Sequence, residues 1–265
     1  MSLLPESAAL PDALVSLTSF GAAEVGRHGQ LWFARLCHEA GAQGVEVREE
    51  LLTDPVAELP ALAEWLRSTP LRSVYSCPRP LFAADGQLDA AALAHALAAT
   101  RTLGAPWLKM SIGHFAAQSE QASAQGFAPL AQALQQAGVT LLIENDQTPQ
   151  AGSLRALRRF FAAADAAGLV LPMTFDMGNW HYVGECPLQA ARELGERVGY
   201  VHAKGVQHRG KWVAVPLAES SAPWRTLLDA LPENAPRAIE YPLIADDLAA
   251  LTCQALQQLR LATRV

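Results

Sequence analysis

Met173-Thr174-Phe175-Asp176-Met177-Gly178-Asn179-Trp180-His181 reads as a short apolar strand that ends on a carboxylate and opens into a Gly-Asn turn. Three further runs end in the same manner: Leu141-Leu142-Ile143-Glu144, Gly199-Tyr200-Val201-His202 and Arg237-Ala238-Ile239-Glu240. Two Glu, one Asp and one His at successive strand ends form a set able to bind a divalent metal, provided the four ends meet in space.

Outward from this stretch the same alternation of strand and helix covers the chain. Strands are expected over Leu14–Thr18, Gly44–Arg48, Leu71–Ser76, Trp107–Met110, Val139–Glu144, Leu171–Asp176, Gly199–His202 and Arg237–Glu240. Helices are expected near Leu31–Ala40, from Pro55 to Arg67, from an N-cap at Asp89 to Gly104, and over Ala122–Ala137 and Ser153–Ala167. Pro187–Arg197, Ala222–Leu231 and Asp247–Leu261 complete the helices, and Gly205–Pro216 is a longer excursion. Eight such units in about 250 residues predict an α/β fold of the (β/α)8 TIM-barrel type, as a single domain over residues 1–265. The rival, a doubly wound open sheet, wants a Gly-rich turn after its first strand. Ser19-Phe20-Gly21-Ala22-Ala23 is not G-x-G-x-x-G.

Composition agrees. Of 265 residues, 51% are hydrophobic and 17% charged, which supports a large core and argues against disorder. The net charge is −6 and no Lys/Arg-rich run appears, so nucleic acid is not an expected partner. Cys37, Cys77, Cys186 and Cys253 are scattered, as reduced thiols of a cytoplasmic protein would be. No signal peptide is expected, and no apolar run reaches the length of about 18 residues that a membrane span needs.

Side chains alternate along a strand. Glu144 shares a side with Leu142, Asp176 with Thr174, His202 with Tyr200, Glu240 with Ala238, Glu46 with Arg48, and Lys109 with Trp107. The opposite sides are apolar and suit the helix layer. The ionisable residues then face the barrel axis near the C-terminal mouth, where barrel enzymes keep their chemistry. Three carboxylates and an imidazole favour Mn²⁺, Mg²⁺ or Co²⁺, with Fe²⁺ or Zn²⁺ compatible. H-E-x-x-H and C-x-x-C are absent.

The order Glu, Asp, His, Glu on strands five to eight resembles the xylose isomerase-like TIM barrels, the sugar phosphate isomerase/epimerase and AP endonuclease-like superfamily. Phe175-Asp176-Met177-Gly178-Asn179, Val201-His202-Ala203-Lys204 and Ile239-Glu240 carry the likeness. The resemblance implies Glu144, Asp176, His202 and Glu240 as ligands of a divalent metal ion, the cofactor. It implies Glu144 and Glu240 as catalytic acid/base groups that move a proton through a metal-stabilised enediolate. Two positions depart from the family pattern. Asn179 stands where many members have His three residues after the Asp, and Gln150 where tagatose 3-epimerase-like members have a further Glu.

Candidates for substrate binding are Lys204, Lys109, His114, Asn179, His181 and Glu46. Lys204 suits a substrate oxygen or phosphate, a salt bridge, or a Schiff base. Glu46 and Arg48 can pair across the mouth. Trp180, Trp212 and Phe20 suit either pocket walls or core. Specificity should reside in the loops Ser111–Ser119 and Gly205–Pro216. The expected function is a metal-dependent isomerase or epimerase of a small hydroxy-ketone sugar or sugar acid. The alternatives are a dehydratase of a polyol ketone at the same metal site, and a barrel that binds without chemistry. The expected partner is a small carbohydrate, and a homodimer is compatible with the sequence.

Overall fold

Short runs rich in Val, Ile, Leu and aromatic residues form ten strands in this computed structural model, which describes residues 10–115 and 120–262. They are β1 (Ala13–Ser16), β2 (Gly44–Arg48), β3 (Arg72–Ser76), β4 (Trp107–Ser111), β5 (Thr140–Glu144), β6 (Met173–Asp176), β7 (Val198–Ala203), β8 (Gly205–His208), β9 (Trp212–Val215) and β10 (Arg237–Ile239). Eight of them close a parallel barrel in the order β1-β10-β7-β6-β5-β4-β3-β2. The predicted TIM barrel is therefore the observed fold. β8 and β9 stand outside it as an antiparallel pair, with Gly205 opposite Val215 and His208 opposite Trp212. The segment expected only as an excursion thus has its own order, because Val206, Val213 and Val215 alternate with smaller or polar neighbours.

Helices pack outside the barrel, beginning with α1 (Ala22–His28) and α2 (Gln30–Glu39). α3 (Pro55–Arg67) has Pro at its first position and Asp54 as N-cap, and α4 (Ala90–Leu103) is capped by Asp89 and stopped at Gly104, as read. α5 (Glu120–Ala137), α6 (Pro149–Gly152), α7 (Leu154–Ala166), α8 (Asn179–Tyr182), α9 (Pro187–Leu194), α10 (Trp224–Asp229) and α11 (Leu248–Leu261) follow. In α7 the buried residues Leu154, Leu157, Phe160, Phe161 and Ala164 form one stripe toward the sheet. α1 and α6 were not foreseen. Gly21 and Gly29 bound α1 at its two ends, and α6 is a single turn capped by the Thr148 side chain. Residues 116–119 of the proposed 111–119 specificity loop lie outside the described residues, as do 1–9 and 263–265 of the 1–265 span. No helix among the described residues is long and apolar enough to cross a membrane.

Two apolar layers result. A large one lies between strands and helices. A small one fills the barrel with Leu14, Val74, Leu142 and Tyr200, one from each of β1, β3, β5 and β7, beside Ala238 and Trp107. This plug closes the lower barrel, so the polar residues one step further along each strand have only the C-terminal mouth to face.

β7 carries an irregularity that sets the site. Met173 pairs with Val198 but Thr174 pairs with Tyr200, leaving Gly199 as an extra residue. Without this shift, the register begun at Met173 and Val198 would set Val201 beside Asp176. With it, Asp176 pairs with His202.

Candidate metal centre

Glu144 ends β5, Asp176 ends β6, His202 lies in β7 and Glu240 follows β10. The four offer ligand atoms that all lie within 4.8 Å of one another. His202 Nδ1 is 3.0 Å from Glu144 Oε1, 3.0 Å from Glu240 Oε2 and 3.8 Å from Asp176 Oδ2. Both Nδ1 of His202 and Oε2 of Glu240 are buried without a hydrogen bond of good geometry. The parity reading therefore brings the right side chains to one point.

Each of the four is held by a group behind it. Asp176 Oδ1 accepts the backbone N–H groups of Gly178 (2.8 Å) and Asn179 (3.0 Å), which turns Oδ2 toward the centre. Asn145 clamps the end of β6: its Oδ1 accepts from Asp176 N at 2.8 Å and its Nδ2 donates to Asp176 O at 3.0 Å. His202 Nε2 lies 2.7 Å from Glu46 Oε2, so the imidazole directs Nδ1 at the ligand carboxylates. Glu46 is fully buried, and its Oε1 accepts from Arg48 (3.0 Å) and Ser16 (3.4 Å). Glu46, a candidate for substrate binding, is thus engaged by His202 and Arg48, the pairing with Arg48 being the other role expected for it.

Three cations balance the carboxylates. Arg48 Nη1 donates to Glu240 Oε1 at 2.7 Å, and Lys109 pairs with Glu144. Lys204 Nζ lies 2.6 Å from Asp176 Oδ2 and 2.7 Å from Glu240 Oε2. Gly178 makes room for it, since a Cβ there would lie 2.7 Å from Lys204 Cδ. Burial pushes the carboxyls of Glu46, Glu144 and Glu240 up, but the cations and His202 prevail. Glu144 is held at about 2 and the other two below the ordinary range. In Asp176 burial prevails over Lys204 and the carboxyl is raised. Burial lowers the imidazole of His202, yet Glu240 and Glu46 lift it well above its usual value. Burial likewise lowers Lys204, but Asp176 and Glu240 outweigh it and keep the ammonium charged. A Schiff-base lysine needs the opposite shift, so that alternative for Lys204 has no support.

The remaining candidates separate. Lys109 is buried, its ammonium pairs with Glu144, and it lines none of the cavities described here. Asn179 is also buried, bonded to Asn145 O and in contact with Gln147 and Lys204, and it supports β5 and β6. His114 lines a polar cavity with Arg155 and Arg159 that shares no lining residue with the two at the centre. Lys204 lines both of those: a mouth cavity of about 450 Å³ with Arg48 and Glu240, and a second lobe with His181. Phe20 walls the mouth, Trp212 packs against His181 with ring centroids 4.7 Å apart and planes tilted by 43°, and Trp180 is core. Asn145 was missed, although an amide directly after the strand-end Glu144 was a usable signal. Trp224 and Leu227 of the lobe carried no signal in the sequence.

The sequence matches the family described as xylose isomerase-like TIM barrel over residues 34–251. The chain belongs to that family. Several solved structures share its fold at low identity. A D-allulose 3-epimerase from Methylomonas sp. superposes with TM-score 0.68 and 16% identity, over 96% of this chain and 98% of that one. The probable 3-DHS dehydratase AsbF from Bacillus anthracis gives 0.66 and 12%, over 94% and 98%. The IolI protein with a bound zinc atom gives 0.64 and 13%, over 95% and 96%. No curated protein matches the chain significantly by sequence.

Proposed function

We propose that the protein is a divalent-metal-dependent isomerase or epimerase that moves a proton on a small hydroxy-ketone. The observation that carries this reading is the convergence of Glu144, Asp176, His202 and Glu240 on one point, where Nδ1 of His202 makes no hydrogen bond of good geometry and Oε2 of Glu240 has only the Lys204 ammonium beside it. Buried acceptors crowded in this way fit a cation with a mostly oxygen ligand set. Mn²⁺, Mg²⁺ and Co²⁺ suit that set, and the zinc of the IolI structure keeps Zn²⁺ in the group. A divalent ion supplies Lewis acidity to two adjacent substrate oxygens and so acidifies the C–H beside them.

The protein's own residues do the rest. Glu144 and Glu240 reach the centre from β5 and β10, with β6 and β7 between them in the barrel. They approach the substrate from two sides. One accepts the proton to give an enediolate, and the same or the opposite Glu returns it. Lys109 holds Glu144, while Arg48 and Lys204 hold Glu240. Lys204 also faces the substrate cavities and can donate to a substrate oxygen.

The test is metal analysis beside solvent-deuterium exchange into a panel of hydroxy-ketones, for wild type and Glu240→Gln. About one ion per chain and exchange lost in a folded variant are expected. A metal-loaded wild type that exchanges no proton of any panel member overturns the reading. Exchange accompanied by loss of water from the product moves the reaction to the dehydratase class.

A further inference from the structure

We infer that the substrate is not a plain polyol: it carries an apolar arm, and the arm lies in the lobe lined by Met177, Pro187, Leu188, Trp224 and Leu227. This rests on the metal-site reading above, because it assumes that the reacting oxygens are held at the four-residue centre. The lobe has a volume of about 380 Å³. An apolar cavity of about 150 Å³ already admits benzene. Met177, Trp224 and Leu227 are buried side chains, so the apolar floor of the lobe is fixed by the core, while Gly184, Cys186 and Pro223 form an exposed rim.

Lys204 lies between the lobe and the centre. It lines both the lobe and the mouth cavity, and its Nζ is 2.6 Å from Asp176 Oδ2. A molecule with its head at the centre therefore has the lobe one side chain away. His181 also lines the lobe, and its Nε2 is buried without a hydrogen-bond partner. That atom suits a single polar group where arm meets head. A chain of hydroxyls would exchange water for carbon walls and lose its hydrogen bonds. A ring of five or six carbons would gain what it loses in exposure, an advantage of about tenfold or more in affinity.

The probes are two hydroxamates, which offer adjacent oxygens to a divalent ion as an enediolate would. Glycolohydroxamate is the head alone, and 3-phenyllactohydroxamate adds an aromatic arm to the same head. Calorimetric titration of the Mn²⁺-loaded wild type should show the phenyl compound binding about tenfold or more tightly. Ala222→Trp, which fills the lobe, and Leu188→Gln, at a half-buried position, should each erase that ratio and leave glycolohydroxamate affinity unchanged. Equal affinities in wild type, or a ratio that survives both variants, overturn the arm and leave the metal reading intact; the lobe would then be a surface for a covering partner such as a second copy of the chain. A protein that retains no Mn²⁺ and binds neither compound overturns both readings together.

Discussion

Replacing Glu46 by Gln keeps the shape of the side chain and removes its charge. The imidazole of His202 then loses the carboxylate 2.7 Å from Nε2 while Asp176, Glu144 and Glu240 stay in place. Affinity for Mn²⁺ or Zn²⁺ should fall about 10- to 100-fold, measured by competition with a chromogenic chelator. An unchanged affinity would make Glu46 a partner of Arg48 alone. At this scale the sequence was legible where a single strand decides the outcome. Parity alone placed Glu144, Asp176, His202 and Glu240 on the inner side. It could not show that Glu46 meets His202, 156 residues away, because that contact depends on how far the barrel closes and which strands end level. The buried partners of Lys109 and Asn179 were hidden from the sequence for a related reason. A strand or loop position does not name the buried neighbour that takes up the polar group.

Elements were legible where local chemistry fixes their ends. Asp89 accepts from Ala92 N at 2.8 Å and starts α4, and Gly104 stops it in the left-handed region with φ 75°. Asp89→Ala should lower stability by about 1 kcal/mol in chemical denaturation, with no change in the slope of the transition. A loss near zero would mean that tertiary packing alone holds the first turn. The same local reasoning missed α1 and α8, which are seven and four residues long and carry no side-chain N-cap. It also left β8 and β9 unformed on paper. A hairpin outside the barrel gains its stability from pairing with itself, and composition gave no partner for either strand.

Over the whole molecule, the buried charge cluster sits on the apolar plug of Leu14, Val74, Leu142 and Tyr200, so what binds the cluster binds only the folded state. A divalent ion present at 100 times its dissociation constant should add about 2.7 kcal/mol of stability. Chelator treatment should therefore lower the melting temperature, and Mn²⁺, Co²⁺ or Zn²⁺ should restore it, read by a thermal scan at fixed protein concentration. A melting temperature indifferent to every ion would mean that Arg48, Lys109 and Lys204 already satisfy the cluster. One feature of β7 bears on how such barrels diverge. Because the pairing of His202 with Asp176 is re-established after Gly199, the imidazole is keyed to its neighbour and not to where its strand begins. Losses or gains of a residue below that point can be absorbed as a change of phase. A single insertion or deletion between Tyr200 and His202 cannot: it would present an aliphatic residue in place of the imidazole. When relatives are aligned, a one-residue gap at position 199 therefore preserves the site, and the same gap two residues later removes a ligand without any substitution.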